Sequence, residues 1–174
     1  PVMYNDFVLL GPKGDPSSVR GMTDAVAALR AIARAGAVFI SRGDDSGTHR
    51  AERRLWTLTE VDVETASGTW YREAGAGMGA ALNIASSVGG YILSDRATWL
   101  SFRNKGNLAI LAAGDARLFN QYGVVRVNPA RHRHVNARAA SAFVEWLVSP
   151  AGQDSIGKFR VQGQQLFFPN ASGS

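Results

Sequence analysis

The sequence predicts an α/β fold on a largely parallel sheet, and three observations predict it. Short apolar runs of strand length alternate with segments whose apolar residues recur at helical spacing, the pattern of strands joined by crossover helices. The chain has 174 residues, 45% hydrophobic and 19% charged, so it can bury a core as one domain or two small lobes and is not disordered wholesale. It carries no internal repeat, no low-complexity tract and no apolar run approaching the roughly 20 residues that span a bilayer.

Residues 2–10 read as a strand interrupted by Asn5-Asp6, followed by a loop at Gly11-Pro12 and Gly14-Asp15-Pro16. Val19, Met22, Val26, Leu29 and Ile32 recur at helical spacing and predict a helix over 18–35, stopped by Gly36. Ala37-Val38-Phe39-Ile40 is a short buried strand, 41–47 a polar loop, and 47–58 a helix. A polar connection at 59–69 leads to a short strand near Trp70-Tyr71. Gly75 to Gly79 open a helix that runs to about Ser87 and ends at Gly89-Gly90. Tyr91-Ile92-Leu93 is a strand, and Ser94-Asp95 cap a helix through about Phe102. Leu108 to Leu111 form the next strand, and Tyr122 to Val127 another, closed by Asn128-Pro129.

The remainder reads as helical. Ala139, Phe143, Trp146 and Leu147 share a face, and Ser149-Pro150 is an N-cap followed by a first-turn proline. Ile156 and Phe159 continue the helical face, Leu166 to Pro169 end the ordered chain, and the tail from Asn170 to Ser174 is expected to be loose. Phe143 with Trp146, and Leu55-Trp56-Leu58, read as core.

Lys and Arg number 19 against 14 Asp and Glu, a net charge of +5, with 16 of the cations being Arg. A pI of about 10 fits either a nucleic acid or small anions as partner, and a base-composition bias toward Arg accounts for it equally well. Arg offers oxyanions a planar fork where Lys offers a point charge. With no cysteine, disulfides and thiol chemistry are excluded, and the compartment stays open. The chain opens at Pro1 directly onto an apolar run without a signal-peptide pattern, so it reads as processed or excised.

The chemistry concentrates in Ser41-Arg42-Gly43-Asp44-Asp45-Ser46-Gly47-Thr48-His49, between a buried strand and a helix start. In open α/β sheets that is where ligands bind. Arg42 supplies a fork of donors, Ser46 and Thr48 supply hydroxyls, and the amides of Gly47 and Thr48 are helix N-terminal donors. Gly47 lets the backbone approach a ligand closely. Asp44 would repel an anion directly, but two residues from Arg42 it can hold the guanidinium and leave its other edge free. The competing reading is an ordinary Ser or Asp cap on a surface loop.

These residues carry a resemblance. Arg42-x-Asp44-x-Ser46-Gly47-Thr48 resembles the anion loop of periplasmic phosphate-binding proteins, and the string Ser41 to His49 resembles the signature of tungstate-binding proteins of ABC transporters. Met3-Tyr4-Asn5-Asp6-Phe7-Val8 resembles that family's crossover strand. Gly75-x-Gly77-Met78-Gly79, Leu82 to Ala85, Asp95-Arg96, Phe119-Asn120-x-Tyr122-Gly123-Val124 and Gln165 to Pro169 also fit, so the resemblance covers nearly the whole chain.

The resemblance implies a type II periplasmic-binding-protein-like fold, two lobes with mixed, mostly parallel sheets. Residues 1–36 would be a hinge strand and first-lobe segment, 37–120 the second lobe, and 121–174 the return strand and C-terminal part of the first lobe. The family also has a Thr/Ser-rich segment ahead of the crossover strand, supplying the other side of the anion site, and nothing in 1–174 matches it. The chain is therefore expected to be a fragment with an incomplete first lobe. Alone it should bind oxyanion weakly or not at all, and its exposed faces suit a swapped or paired dimer.

The implied function is the solute-binding component of an ABC importer, not an enzyme. It would bind a tetrahedral oxyanion in an interlobe cleft, tungstate first, then molybdate or phosphate, and dock on a membrane permease. Its location would be periplasmic or extracytoplasmic, any signal peptide having gone with the N-terminal segment. The ligand donors are Arg42, Ser46, Gly47 and Thr48, with Ser41 a further candidate, and Asp44 and Asp45 support the site. Phosphate carries a proton near neutral pH that a carboxylate can accept, whereas tungstate and molybdate suit an all-donor site. Asp45 blurs that distinction if it faces the ligand. No cofactor, metal or nucleic acid is expected.

Other readings compete. Gly75-x-Gly77-x-x-Ala80 with Asp95 fits a dinucleotide fingerprint, but the strand before it reads Tyr71-Arg72-Glu73 rather than apolar. His132-Arg133-His134 is read as a solvated basic turn lacking a third metal ligand. Arg50, Glu52, Arg53 and Arg54 are read as a solvated helix face rather than a nucleic-acid helix. No nucleophile and base stand at triad spacing. An anion-sensing effector domain of a LysR-like regulator shares the two-lobe architecture and stays open beside transport.

Overall fold

The computed structural model describes residues 1–171, and the chain divides into two units. Unit 2 is Asp6–Phe119, and unit 1 joins Pro1–Asn5 to the chain from Asn120 onward. The elements contributing to unit 2 are β1 (Met3–Pro12), α1 (Ala25–Arg34), β2 (Phe39–Ser41), α2 (Gly47–Thr59), β3 (Tyr71–Glu73), α3 (Met78–Val88), β4 (Tyr91–Asp95), α4 (Arg96–Ser101) and β5 (Leu108–Ala112).

The sheet of unit 2 runs β3-β2-β4-β1-β5. β2, β4 and β1 from Phe7 onward are buried on both faces, and the alternation of side chains sorts the core into two layers. Phe7, Leu9, Phe39, Tyr71, Tyr91 and Leu93 pack under α1 and α2 with Val26, Leu29, Ile32, Leu55 and Trp56. Val8, Leu10, Ile40 and Ile92 face the other way, against Met78, Ala81, Leu82 and Ala85 of α3 and Trp99 of α4. Among the described residues no helix is long and apolar enough to cross a membrane.

The sheet is mixed, but the expected parallel majority is corrected. β3–β2 and β2–β4 are parallel, whereas β1 lies antiparallel to β4, β5 and β9. β1 also runs unbroken through Asn5-Asp6 and on to Pro12. The expected unit boundary at 36/37 falls instead at 5/6, since the apolar face of α1 shares one core with Phe7, Leu9, Phe39 and Trp56. α1 starts at Ala25 rather than 18, because Asp24 caps it by accepting from Ala27 N–H at 2.9 Å. Val19 is buried by a turn ahead of the helix.

Unit 1 holds the first residues of β1, all but the first residue of β6 (Phe119–Tyr122), α5 (Ala137–Val148), α6 (Pro150–Lys158), β7 (Arg160–Val161), β8 (Gln164–Gln165) and β9 (Phe168–Pro169). β9 lies antiparallel to β1 with Tyr4 opposite Phe168, their rings stacked at 5.2 Å. Ser149 caps α6 as expected, accepting from Gly152 N–H ahead of the first-turn Pro150.

Three expectations in unit 1 are corrected. The strand predicted to Val127 stops at Tyr122; Val125 is 92% exposed, and no strand pairs with 123–127 among the described residues. A chain with strand-like alternation stays irregular when its backbone has no neighbour to bond. Phe143 and Trp146 are not core: they are 58% and 46% exposed and stack on each other at 6.2 Å. The expected loose tail lies outside the described residues beyond Ala171. Asn170 and Ala171 are held, Asn170 Nδ2 donating to Gln121 Oε1 at 2.8 Å and Ala171 N–H to Gln153 Oε1 at 2.9 Å.

Candidate functional site

β2 and β3 are parallel neighbours, Phe39 opposite Tyr71 and Ser41 opposite Glu73, so their carboxyl ends finish on the same edge of the sheet. Each end turns into a helix, α2 from β2 and α3 from β3. The two turns are stitched backbone to backbone: Ala74 N–H donates to Ser41 O at 2.8 Å and Ala76 N–H to Arg42 O at 3.2 Å. Gly43 has φ +61°, and a Cβ there would lie 2.8 Å from Glu73 Cβ, so only glycine allows this approach.

Within the loop, Arg42 donates to Asp44, and the two form an ion pair whose side chains are 17% and 21% exposed. Asp44 also accepts from Ser46 N–H at 3.2 Å. The Ser46 hydroxyl first, then Arg42, hold the Asp44 carboxyl down to about 2. Asp44 is thus a fixed anion that orients Arg42. Ser46 is the N-cap of α2, its Oγ accepting from His49 N–H at 3.3 Å. The amides of Gly47 and Thr48 start the helix and have no carbonyl one turn back to bond. Asp45, at φ +56°, turns to Arg50, which donates to it at 2.9 and 2.7 Å, while its N–H donates to His49 Nδ1 at 3.0 Å.

Four buried side-chain polar atoms of the described residues have no hydrogen bond, and two belong to consecutive residues here, Ser41 Oγ and Arg42 Nε. Buried polar atoms are nearly always paired, so each such exception calls for a physical account. The two differ in setting. Arg42 Nε belongs to the loop and to the fork already anchored by Asp44. Ser41 Oγ lies beneath the loop, near the carboxyl of Glu52.

Glu52 is the residue the sequence reading missed. It is not part of a solvated face: it is 2% exposed, and Tyr71 Oη donates to its Oε1 at 2.7 Å. Burial pushes its carboxyl up to about 7, against the Tyr71 hydrogen bond that favours the ionised form. The available signal was its place on the apolar stripe of α2, beside Ala51, Leu55 and Trp56. Leu58, expected in the core with Leu55 and Trp56, is 47% exposed.

α3 begins at Met78 after Gly77, which has no side chain to cap it. The dinucleotide reading does not fit this setting. β3 is an edge strand with Arg72 and Glu73 exposed, and Asp95 caps α4 by accepting from Thr98 N–H at 3.0 Å. His132 and His134 stand in an exposed loop, their rings 6.1 Å apart.

A family model described as a PBP superfamily domain matches residues 1–151. The tungstate-binding protein TupA of Peptoclostridium acidaminophilum is 45% identical, covering 98% of this chain and 60% of that protein. The structure of the tungstate-binding protein TupA from Desulfovibrio alaskensis G20 is 46% identical with a TM-score of 0.81, covering 98% of this chain and 69% of that one. The tungstate ABC transporter structure from Geobacter sulfurreducens is 43% identical with a TM-score of 0.81, covering 91% and 66%. The chain spans between 50% and 64% of the length of the curated relatives it matches.

Proposed function

The chain belongs to the PBP superfamily, in the family of tungstate-binding proteins, and from that premise we propose that its loop 41–48 binds a tetrahedral oxyanion, tungstate before molybdate or phosphate. The observation that carries this reading is Arg42: one arm is anchored by Asp44, and its Nε is buried without a partner in the loop that leads into α2. The donors are Arg42, the Ser46 and Thr48 hydroxyls, and the Gly47 and Thr48 amides. Ser41 contributes from the end of β2. Asp44 acts on the ligand only through Arg42, and Asp45 is engaged by Arg50.

The loop thus offers donors and keeps both carboxylates occupied, which suits an oxyanion without a proton. The activity is binding rather than catalysis. The chain serves an ABC importer as its solute-binding part, outside the cytoplasm, with a membrane permease as partner. Exposed Phe143 and Trp146 of α5 suit pairing with a second copy, which sedimentation at increasing concentration reads directly.

Titration of tungstate into isotope-labelled protein tests the site even where affinity is low. The amides of Gly47 and Thr48 should shift on binding, with molybdate close behind and sulfate and phosphate weaker. Loop amides indifferent to millimolar tungstate overturn the reading.

A further inference from the structure

Glu52 lies four residues after Thr48 on α2, on the same face and about 6 Å of rise below the helix's first amides. It is buried, with one hydrogen bond to its carboxyl and two buried polar groups, unpartnered, that bear on its charge. Tyr71 Oη reaches it from β3 at 2.7 Å. Ser41 Oγ bears on it from the end of β2, and Trp56 Nε1 from the next turn of α2; neither of these has a hydrogen bond of its own. The Glu52–Tyr71 hydrogen bond therefore ties α2 to β3, the parallel neighbour of β2 and of Ser41 at its end.

We propose that Glu52 is a positioning residue for the anion loop, holding Ser41 and the first turn of α2 in place while it carries a proton, so that losing the proton weakens oxyanion binding. This rests on the reading of the loop as an oxyanion site.

The surroundings make ionisation consequential. Burial pushes the carboxyl up to about 7. The charged group bearing on it is Arg53 of its own helix, whose guanidinium donates to Glu64 at 2.7 Å. Tyr71 is the titratable group facing it from β3, and burial pushes its phenol up, so it stays a donor. α1, packed along α2, sends Arg30 to the far end, onto the carbonyls of Leu58 and Thr59. An ionised Glu52 thus places a negative charge one turn from the donors of an anion. By linkage, a bound oxyanion raises the proton affinity of Glu52, and affinity falls as pH rises through about 7.

The test compares wild type with Glu52→Gln, which keeps the shape of the protonated side chain. The Gly47 and Thr48 amide resonances of the ligand-free wild type should titrate with a midpoint near 7, and that step should vanish in E52Q. Between about pH 6 and about pH 8 tungstate affinity should fall by about three- to tenfold in wild type and stay flat in E52Q, the two meeting at the acid end. His49 is present in both, so the difference belongs to Glu52. Tyr71→Phe, which removes a donor to the ionised form, should move the midpoint upward, and it serves if E52Q does not fold. Loop amides without a step in wild type, or one pH profile shared by wild type and E52Q, overturn the proposal. Amides that titrate while tungstate binds at no pH overturn the oxyanion reading alone.

Discussion

Arg42 gives one arm of its guanidinium to Asp44, two residues along the same loop, while its Nε stays buried and unpaired. The pair is local and most of the core is elsewhere, so Arg42→Ala should leave thermal stability nearly unchanged. A hydrogen bond to a charged group contributes about 1.5–3 kcal/mol, so calorimetry should find tungstate affinity lowered by about ten- to a hundredfold. Arg42→Lys should restore only part of it, because an ammonium cannot hold Asp44 and a ligand along one plane.

The Asp44 carboxyl should titrate near 2 rather than at its ordinary 3.8, as followed by side-chain carbon resonances. Its folded value is depressed, so its contribution to stability is present above 3.8 and lost as pH falls toward 2. The Ser46 hydroxyl is the largest cause. Ser46→Ala should therefore move the midpoint upward more than Arg42→Ala does.

Two glycines four residues apart should respond in opposite ways. Gly43 sits at φ +61° with Glu73 Cβ 2.8 Å from where a methyl would go, so Gly43→Ala should cost about 2 kcal/mol in chemical denaturation. A Cβ on Gly47 meets nothing within 4 Å. Gly47→Ala should change stability by less than about 0.5 kcal/mol and weaken tungstate binding by crowding the ligand.

Glu52 makes stability fall as pH rises. Its folded value is raised from 4.5 to about 7, so between those values the unfolded chain has lost a proton that the folded chain keeps. Stability should decline across that window, by on the order of 3 kcal/mol, and level off above it. Urea midpoints at a series of pH values should show the slope in wild type and none in E52Q.

What the sequence revealed depended on how local the cause was. α2 begins where Ser46-Gly47 said it would, because a cap acts on its own helix. The two strand ends and their glycine loop were legible for the same reason. Asp24 was legible too, but Val19 and Met22 imitate helical spacing just ahead of it. The β7–β8 hairpin turns at Gln162-Gly163, both at positive φ, and was passed over because its strands are only two residues each. Among the described residues the 123–127 segment has a strand's alternation without a strand to pair with, and Phe143 and Trp146 of α5 have a core face's spacing yet stay exposed, which no pattern within the segment reports. Glu52 was hidden by its charged neighbours Arg50, Arg53 and Arg54; only the tertiary approach of Tyr71 makes a buried carboxylate tolerable there.

The stitching of the β2 and β3 turns has a consequence for how such a loop drifts over generations. Its bonds run from the amides of Ala74 and Ala76 to the carbonyls of Ser41 and Arg42, so they survive any change of side chain at 74 and 76 except proline. The position that cannot vary is Gly43, across the seam. A saturation library should find 74 and 76 permissive beside an intolerant 43, so that the shape of the binding loop is inherited through the backbone while the sequence of the facing turn is free to wander.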